Sequence, residues 1–191
     1  AIQFPCHDPV ALVTYLSATV KKLAFAVTMS TTFSPVFTLA RTLATLDHLT
    51  QGRIGWNIVA SFATGEALNF GLDELPAHDE RYDRADEYLE ACYALWNSWE
   101  DDAMVTDMER QIFAHPAKVH TVDFVGRWYK TKGPFTVVPS PSGRPFLFQA
   151  GQSDRGKTFA ARHADGIFSV ARGRGQMRDY CEDIASRAER N

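Results

Sequence analysis

His78 and Tyr82 are the first side chains whose type and spacing indicate a binding site. They lie four residues apart in the run HDERY, so at a helix start both can project from one face. The free amides and positive dipole end of a helix N-terminus attract a phosphate, and histidine and tyrosine would add directed hydrogen bonds. Ordinary capping within a solvated charged run also explains these residues, because Asp79 and Glu80 favour a first turn.

A second candidate anion site is the run AGQSDRG, from Ala150 to Gly156. It follows an apolar run and opens a predicted helix, so Ser153 can cap that helix or donate to a phosphate oxygen. Gly151 would let the backbone approach a ligand closely. The run matches neither GxGxxG nor the GK[ST] of a P-loop, so it fits no nucleotide fingerprint. A plain turn with a capping serine also explains it.

Polar groups in two apolar strands form the third candidate site. Asn57 lies within one run, and four hydroxyl residues close the other: Thr28, Ser30, Thr31 and Thr32. Hydroxyl and amide groups at strand ends can hydrogen-bond the edge of a planar ring, although β-propensity and turn chemistry also account for the threonines. A buried amide such as that of Asn57 needs hydrogen-bond partners.

The sequence lacks the common motifs of metal binding and of nucleophilic catalysis. CxxC, HExxH and GxSxG are all absent, and no serine or cysteine has a local base. No metal is therefore predicted. If the protein performs chemistry, a bound cofactor must carry it.

The elements that would position these groups alternate between strand and helix. Apolar runs predict strands over 23–29, 53–60, 145–150 and 166–171. Helical spacing and capping signals predict helices over 9–22, 35–51, 79–99, 153–163 and 176–190. Residues 61–77 are predicted to be a loop, and 103–142 an insertion in which VDFVGRWYK and GPFTVV pair as a β-hairpin. Strands each followed by a helix imply a parallel sheet, so the class is α/β.

Length and composition exclude several other classes of protein. With 191 residues and 45% apolar content, the chain suits a single domain over 1–191. A net charge of −3 without long runs of one sign argues against nucleic acid or a membrane surface as the partner. No 18-residue apolar stretch is present. Three widely spaced cysteines and no secretory leader favour a reduced, cytoplasmic protein.

A wider resemblance is carried by long runs that keep their order along the chain. They include LARTLATLDHLTQGRIGWNIVAS, HDERYDRADEYLEACYALWNSWEDDA, KVHTVDFVGRWYKTKGPF and QAGQSDRGKTFAARHADGIF. Together they resemble the nitrilotriacetate and dibenzothiophene-sulfone monooxygenase group of the bacterial luciferase-like flavin monooxygenases. The resemblance covers essentially the whole chain and is more specific than any single motif.

That resemblance implies a (β/α)8 TIM barrel that binds reduced FMN (FMNH2) at the carboxyl ends of its strands. It also implies a monooxygenase that uses O2 through a flavin C4a-peroxide on a small organic substrate. A separate NAD(P)H:FMN reductase would supply the flavin, and homo-oligomers are common in the family. His78 and Tyr82 match the FMN contacts of the family's H-D-x-R-Y motif, and Ser153 matches the phosphate-region serine of A-G-x-S-x-x-G.

The same resemblance places two further flavin contacts on strands. Thr28 matches the threonine at the end of the third barrel strand, with Ser30 or Thr31 as alternatives, and Asn57 matches the strand-four asparagine near the isoalloxazine ring. The predicted strands then correspond to barrel strands three to six plus a hairpin insertion, whereas a complete barrel needs roughly 250 residues. We expect a section of a longer enzyme. The alternative is a non-catalytic flavin-binding or structural partial barrel completed by a partner chain.

Overall fold

Strands and helices alternate along the chain. The structure is a computed structural model that describes residues 6–190, so positions 1–5 and 191 of the predicted domain lie outside it. Its elements are α1 Pro9–Thr19, β1 Phe25–Ser30, α2 Val36–Thr50, β2 Ile54–Val59, α3 Thr64–Asn69, α4 His78–Trp96, β3 Met104–Asp107, β4 Ile112–Ala114, a 3₁₀ turn Pro116–Lys118, β5 Phe124–Val125, β6 Lys130–Thr131, β7 Phe146–Gln149, α5 Asp154–His163, β8 Gly166–Ile167 and α6 Arg174–Ala188.

Four of the strands form one parallel sheet in the order β1-β2-β7-β8. β1 and β2 pair along their whole length, from Phe25 opposite Ile54 to Ser30 opposite Val59. β7 and β8 continue the sheet with the same strand direction. The α/β prediction with its four parallel strands is therefore confirmed. Within residues 6–190, no helix is long and apolar enough to cross a membrane.

One face of the sheet is packed beneath the helices. It carries Val27, Trp56 and Leu147 in one row, and all three are fully buried. The Trp56 ring lies 6.2 Å from the ring of Tyr88 on α4, and its Nε1 donates to the Met29 carbonyl at 3.0 Å. Trp56 is thus a core residue, and burying each large side chain contributes about 2 kcal/mol. The helices add Leu39, Leu43, Leu46, Leu89 and Leu95 to this core.

The opposite face, which we call the open face, carries Thr28, Asn57 and Phe148 in one row across the strands. These side chains are exposed or half-buried. A Cβ on Gly55 would lie 2.8 Å from the Phe148 ring, and one on Gly166 would lie 3.0 Å from it. Glycine at these two positions therefore leaves room for the Phe148 ring.

The connection between α4 and β7 differs from the predicted hairpin. The run VDFVGRWYK folds back on itself, with β5 pairing to β6, while a separate hairpin joins β3 to β4. The turn falls inside the run because the Glu87 carboxylate on α4 accepts hydrogen bonds from the amides of Arg127, Trp128 and Tyr129. A contact across 40 residues is invisible to local pattern.

The run GPFTVV forms no strand, so its predicted role in the hairpin is wrong. Phe135 is buried and its backbone groups bond to the residues just after α4. Its amide donates to Ser98 Oγ at 2.9 Å, and its carbonyl accepts from Trp99 Nε1 at 2.8 Å. Because these side chains satisfy the backbone, the segment has no need of a β partner.

Several element bounds also differ from prediction. α3, Thr64–Asn69, lies within the predicted loop 61–77. β8 contains only Gly166–Ile167, the two residues that pair with β7. The helix predicted over 35–51 begins at Val36, with Pro35 at the cap position, where it makes no side-chain bond.

Asp165 accepts hydrogen bonds from residues at the start of β7, and these bonds make the stability of the fold depend on pH. Its carboxylate accepts from Arg144 Nη2 at 2.8 Å and from the Leu147 amide at 2.8 Å. The bond from Arg144 is the main reason that the pKa of Asp165 lies below its usual value of 3.8. A carboxyl with a lowered folded-state pKa stabilises the fold above its unfolded pKa and loses that contribution as pH falls through the folded value.

We therefore expect the free energy of unfolding to fall as pH drops below about 4, and Asp165→Asn to flatten that dependence. Urea titrations between pH 6 and 3 would measure it. Asp179→Asn is the control, since Asp179 is an exposed residue of α6. An acid transition of equal slope in the Asp165 variant would contradict the assignment.

Candidate functional site

The start of α4 presents His78 and Tyr82 beside each other, with ring centroids 5.2 Å apart. The helix begins at His78, and the residue at its cap position, Ala77, makes no side-chain hydrogen bond to the first turn. His78 Nδ1 lies 2.6 Å from the carboxylate of Asp79. Because no cap occupies the first amides, the capping explanation of this run loses its main support, and the helix start remains able to accept an anion.

The start of α5 meets the start of α4. Ser153 caps α5, and its Oγ accepts from the Gly156 amide at 3.0 Å. A Cβ on Gly156 would lie 2.8 Å from the Tyr82 hydroxyl, 3.0 Å from Ser153 Oγ and 3.1 Å from the Gly151 Cα. The two hydroxyls thus converge on a patch of bare backbone made by two glycines. Two hydroxyls beside a helix N-terminus are a suitable environment for a phosphate group.

A cleft of about 250 Å³ lies between the end of β2, the start of α4 and the end of β7. His78 and Tyr82 line it together with Arg81, Gln149 and Gly151. The Gln149 side chain is buried, and its Oε1 accepts from the Gly151 amide. Arg81 donates to a backbone carbonyl through Nη1, while its buried Nε has no hydrogen-bond partner among the described residues.

Thr28 and Asn57 lie side by side on the open face. They are register partners, and Asn57 Nδ2 donates to Thr28 Oγ1 at 3.0 Å. Asn57 Oδ1 is buried and has no partner among residues 6–190. A buried acceptor without a donor costs about 1–3 kcal/mol. The protein therefore provides a partner for Asn57 Nδ2 but none for Oδ1 among the described residues, and Oδ1 remains available as an acceptor for a ligand.

Ser30 and Thr31, the alternatives to Thr28, are used by the protein itself. Ser30 Oγ lies 2.9 Å from Ser61 Oγ, and Thr31 Oγ1 donates to the Val59 carbonyl at 3.4 Å. Both residues are buried, whereas Thr28 is exposed on the open face. The geometry favours Thr28 as the hydroxyl available beside Asn57.

The five sequence-predicted residues form two groups. Tyr82, His78 and Ser153 lie together at the carboxyl edge of the sheet. Asn57, with Thr28, lies two residues before the end of β2 at Val59, which is about 7 Å along the strand at the usual rise. Within the described residues no group of three or more His, Cys, Asp or Glu side chains is arranged to hold a metal ion.

Arg81 and Gln149 line the cleft but were not singled out from the sequence. Arg81 lies inside HDERY, but its side chain was not distinguishable from a solvated charge. Gln149 is a polar residue at the end of an apolar strand, directly before AGQSDRG. That position is the signal that could have identified it, because a buried amide at a strand end needs a local partner.

Comparison with known proteins decides the family. The family model for the luciferase-like monooxygenases matches residues 1–191. The chain belongs to this family. The relationship to the group named from the sequence runs is thereby confirmed, since a dibenzothiophene-sulfone monooxygenase and a nitrilotriacetate monooxygenase component are among the similar family members.

Three curated family members show the extent of similarity. Long-chain alkane monooxygenase of Geobacillus thermodenitrificans is 44% identical over 191 residues, covering 100% of this chain and 43% of its own length. Dibenzothiophene-sulfone monooxygenase of Rhodococcus erythropolis is 47% identical over 164 residues, or 86% and 36% of the two chains. Component A of nitrilotriacetate monooxygenase from Aminobacter aminovorans is 35% identical over 180 residues, or 94% and 40%. The chain spans less than half the length of these relatives.

Solved structures of the family have the same fold as the described residues. The crystal structure of a long-chain alkane monooxygenase superposes with a TM-score of 0.95 at 44% identity, over 98% of this chain and 44% of that chain. A riboflavin lyase solved with modified FMN and riboflavin superposes with a TM-score of 0.93 at 38% identity. The superposition covers 98% of this chain and 42% of the lyase chain. The parallel sheet is thus part of the luciferase-like TIM-barrel fold, and a partial barrel is consistent with these lengths.

Proposed function

We propose that this chain forms the flavin-binding section of an FMN-dependent monooxygenase. The observation that carries the proposal is the meeting of the α4 and α5 starts, where the Tyr82 and Ser153 hydroxyls converge on Gly156. Hydroxyls beside a helix N-terminus are a suitable environment for a phosphate, and the unpartnered Asn57 Oδ1 lies on the adjoining sheet face. A phosphate site at the helix starts and a ring-edge acceptor on the sheet face suit a phosphorylated flavin, which needs one site for each of these groups.

The proposed roles follow from the chemistry of each side chain. Ser153, Tyr82 and His78 would hold the phosphate through hydroxyl and ring N–H donors. The cationic Arg81 lines the same cleft as His78 and Tyr82. Asn57 would accept a ring N–H through Oδ1. When bound, reduced FMN supplies the chemistry that activates O2 and inserts one oxygen atom into an organic substrate.

The family likeness supports further proposals about the whole protein. One similar relative is named as component A of its monooxygenase, which supports a two-component system. We accordingly propose a separate NAD(P)H:FMN reductase as the source of reduced flavin, a small organic molecule as substrate, and a cytoplasmic homo-oligomer. Residues 103–142 are proposed as an insertion within a single barrel domain.

Flavin titration tests the proposal directly. In the full-length protein we expect FMN to bind, and Tyr82→Phe, His78→Ala and Ser153→Ala each to weaken it by about tenfold or more, because a hydrogen bond to a charged group contributes about 1.5–3 kcal/mol. Fluorescence quenching of FMN measures the affinity. Tyr15→Phe is the matched control, since Tyr15 is 72% exposed on α1. The FMN affinity of this variant should equal that of the unchanged protein.

Two results would contradict the proposal. Unchanged FMN affinity in both Tyr82→Phe and His78→Ala would remove these residues from the site. Absence of any flavin affinity in the unchanged protein would remove the function. Flavin binding without O2-dependent oxidation of any organic substrate would instead support the alternative, a non-catalytic flavin-binding partial barrel.

A further inference from the structure

Arg155 bridges the two helices whose starts form the proposed phosphate site. It lies two residues after Ser153, in the first turn of α5. Its Nη2 is 2.9 Å from Asp83 Oδ1 on α4 and also contacts the Asp86 carboxylate. Its guanidinium carbon lies 5.7 Å from the centre of the Tyr82 ring. The Arg155 side chain therefore lies against three residues of α4. They are the ring of Tyr82, the carboxylate of Asp83 and the carboxylate of Asp86.

The carboxylate of Asp86 also contacts His163, which in turn contacts Tyr93. His163 Nε2 lies 2.8 Å from Asp86 Oδ1, and His163 Nδ1 lies 3.2 Å from the Tyr93 hydroxyl. Burial opposes ionisation of Asp86, but hydrogen bonds with His163 and Arg155 outweigh it and lower its pKa. Burial raises the pKa of Tyr93 to about 12, so this hydroxyl stays neutral. Asp86 is thus a fixed anion at neutral pH.

The charge of Arg155 is already compensated where it lies. Two carboxylates, Asp83 and Asp86, contact its guanidinium, and the Arg155 side chain is 22% exposed. A guanidinium shared between two carboxylates is a weak counterion for a third anion, but it is a rigid spacer, because its planar donors fix the geometry of both contacts. Its position on the first turn of α5 makes the distance between the two helix starts depend on this spacer.

We propose that Arg155 is a positioning residue that sets the α4–α5 spacing and so aims the Tyr82 and Ser153 hydroxyls at one phosphate group. This inference rests on the proposed function. It assigns Arg155 no contact with the ligand. The role differs from that of Arg162, a second arginine on α5 that also reaches α4, through Glu90 at 2.7 Å and Asp86 at 3.7 Å, but lies at the opposite end of the helix.

The test compares FMN with riboflavin, which has the same ring and no phosphate. In the full-length protein we expect Arg155→Met to weaken FMN binding at least tenfold while riboflavin binding changes by less than about twofold. The FMN-to-riboflavin affinity ratio therefore collapses. Arg162→Met, the matched control, should leave the ratio unchanged. Arg155→Lys keeps the charge but not the double bridge, so it should give an intermediate ratio, and thermal unfolding of each variant shows that it is folded.

A second variant separates positioning from direct phosphate contact. Asp83→Asn removes one carboxylate from Arg155. Positioning predicts weaker FMN binding, because the bridge loosens. Direct contact predicts tighter binding, because the cation is freed. Tighter FMN binding by Asp83→Asn would overturn this inference alone. So would an unchanged FMN-to-riboflavin affinity ratio in a folded Arg155→Met variant. Absence of flavin binding in the unchanged protein overturns it together with the proposed function.

Discussion

Replacing Gly151 with alanine is expected to weaken FMN binding at the proposed site about 100-fold. A Cβ at this position would lie 2.9 Å from the Gly156 Cα and 3.0 Å from the Gly156 carbonyl carbon. Both are backbone atoms, so no side-chain rotation relieves the contact. The same Cβ would lie 2.9 Å from Gln149 Oε1, which accepts the Gly151 amide. The end of β7 and the start of α5 must therefore separate.

That separation moves Ser153 and the α5 amides away from the Tyr82 hydroxyl. We expect FMN affinity to fall by about 100-fold, the equivalent of about 2.7 kcal/mol, and the free energy of unfolding to fall by about 1–3 kcal/mol, as for other forced overpacking. Fluorescence titration with FMN and urea denaturation measure the two effects. Both should exceed those of the side-chain deletion Ser153→Ala, because the whole anion pocket is displaced.

Gly175→Ala is the matched control for this prediction. A Cβ on Gly175, inside α6, would meet no atom within 4 Å, and alanine in a helix is favoured over glycine by up to about 1 kcal/mol. FMN affinity should be unchanged there. If Gly151→Ala bound FMN as tightly as Gly175→Ala did, the two-glycine patch would not be part of the site.

The parts of the site that could be predicted from sequence are those with local causes. Strand, turn and capping signals follow one another within a few residues of Ser153, so it was predicted either to cap α5 or to donate to a phosphate oxygen. The structure places it at the cap. His78 was placed near a helix start for the same reason, and α4 begins there. The parallel sheet followed from the alternation of apolar runs with helical spacing.

The parts that could not be predicted depend on contacts between distant residues. Local pattern could not show that Asn57 keeps one bond to Thr28 and leaves Oδ1 without a partner, since this follows from the register of β1 with β2. The bridge from Arg155 to Asp86 joins residues 69 positions apart. In sequence, both residues are indistinguishable from charges on solvated helix faces.

The incorrect hairpin prediction has a cause of the same kind, and that cause carries the second large prediction. Glu87 Oε1 accepts from the amides of Trp128 and Tyr129 at 2.8 Å each, and Oε2 accepts from the Arg127 amide at 2.9 Å. A Cβ on Gly126 would lie 2.0 Å from Glu87 Oε1. The turn between β5 and β6 is therefore built around this one carboxylate.

Glu87→Ala is expected to destabilise the fold by about 3 kcal/mol or more, because three amides lose a charged acceptor and each such bond contributes about 1.5–3 kcal/mol before solvent reaches the turn. The loss extends inward, since the Tyr129 ring lies edge-on to the buried Tyr88 with centroids 5.2 Å apart. Glu87→Gln keeps one acceptor oxygen, so its free energy of unfolding should lie between those of Glu87→Ala and the unchanged protein. Urea denaturation at neutral pH measures the free energies of unfolding.

The matched control is Glu90→Ala on the same helix. Glu90 pairs with Arg162, and both side chains are nearly half exposed, so its loss should cost less than about 1 kcal/mol. A difference of less than about 1 kcal/mol between Glu87→Ala and Glu90→Ala would show that water satisfies the three amides equally well. A large difference would show that one carboxylate on α4 decides where VDFVGRWYK turns, and hence why this run pairs with itself instead of with GPFTVV.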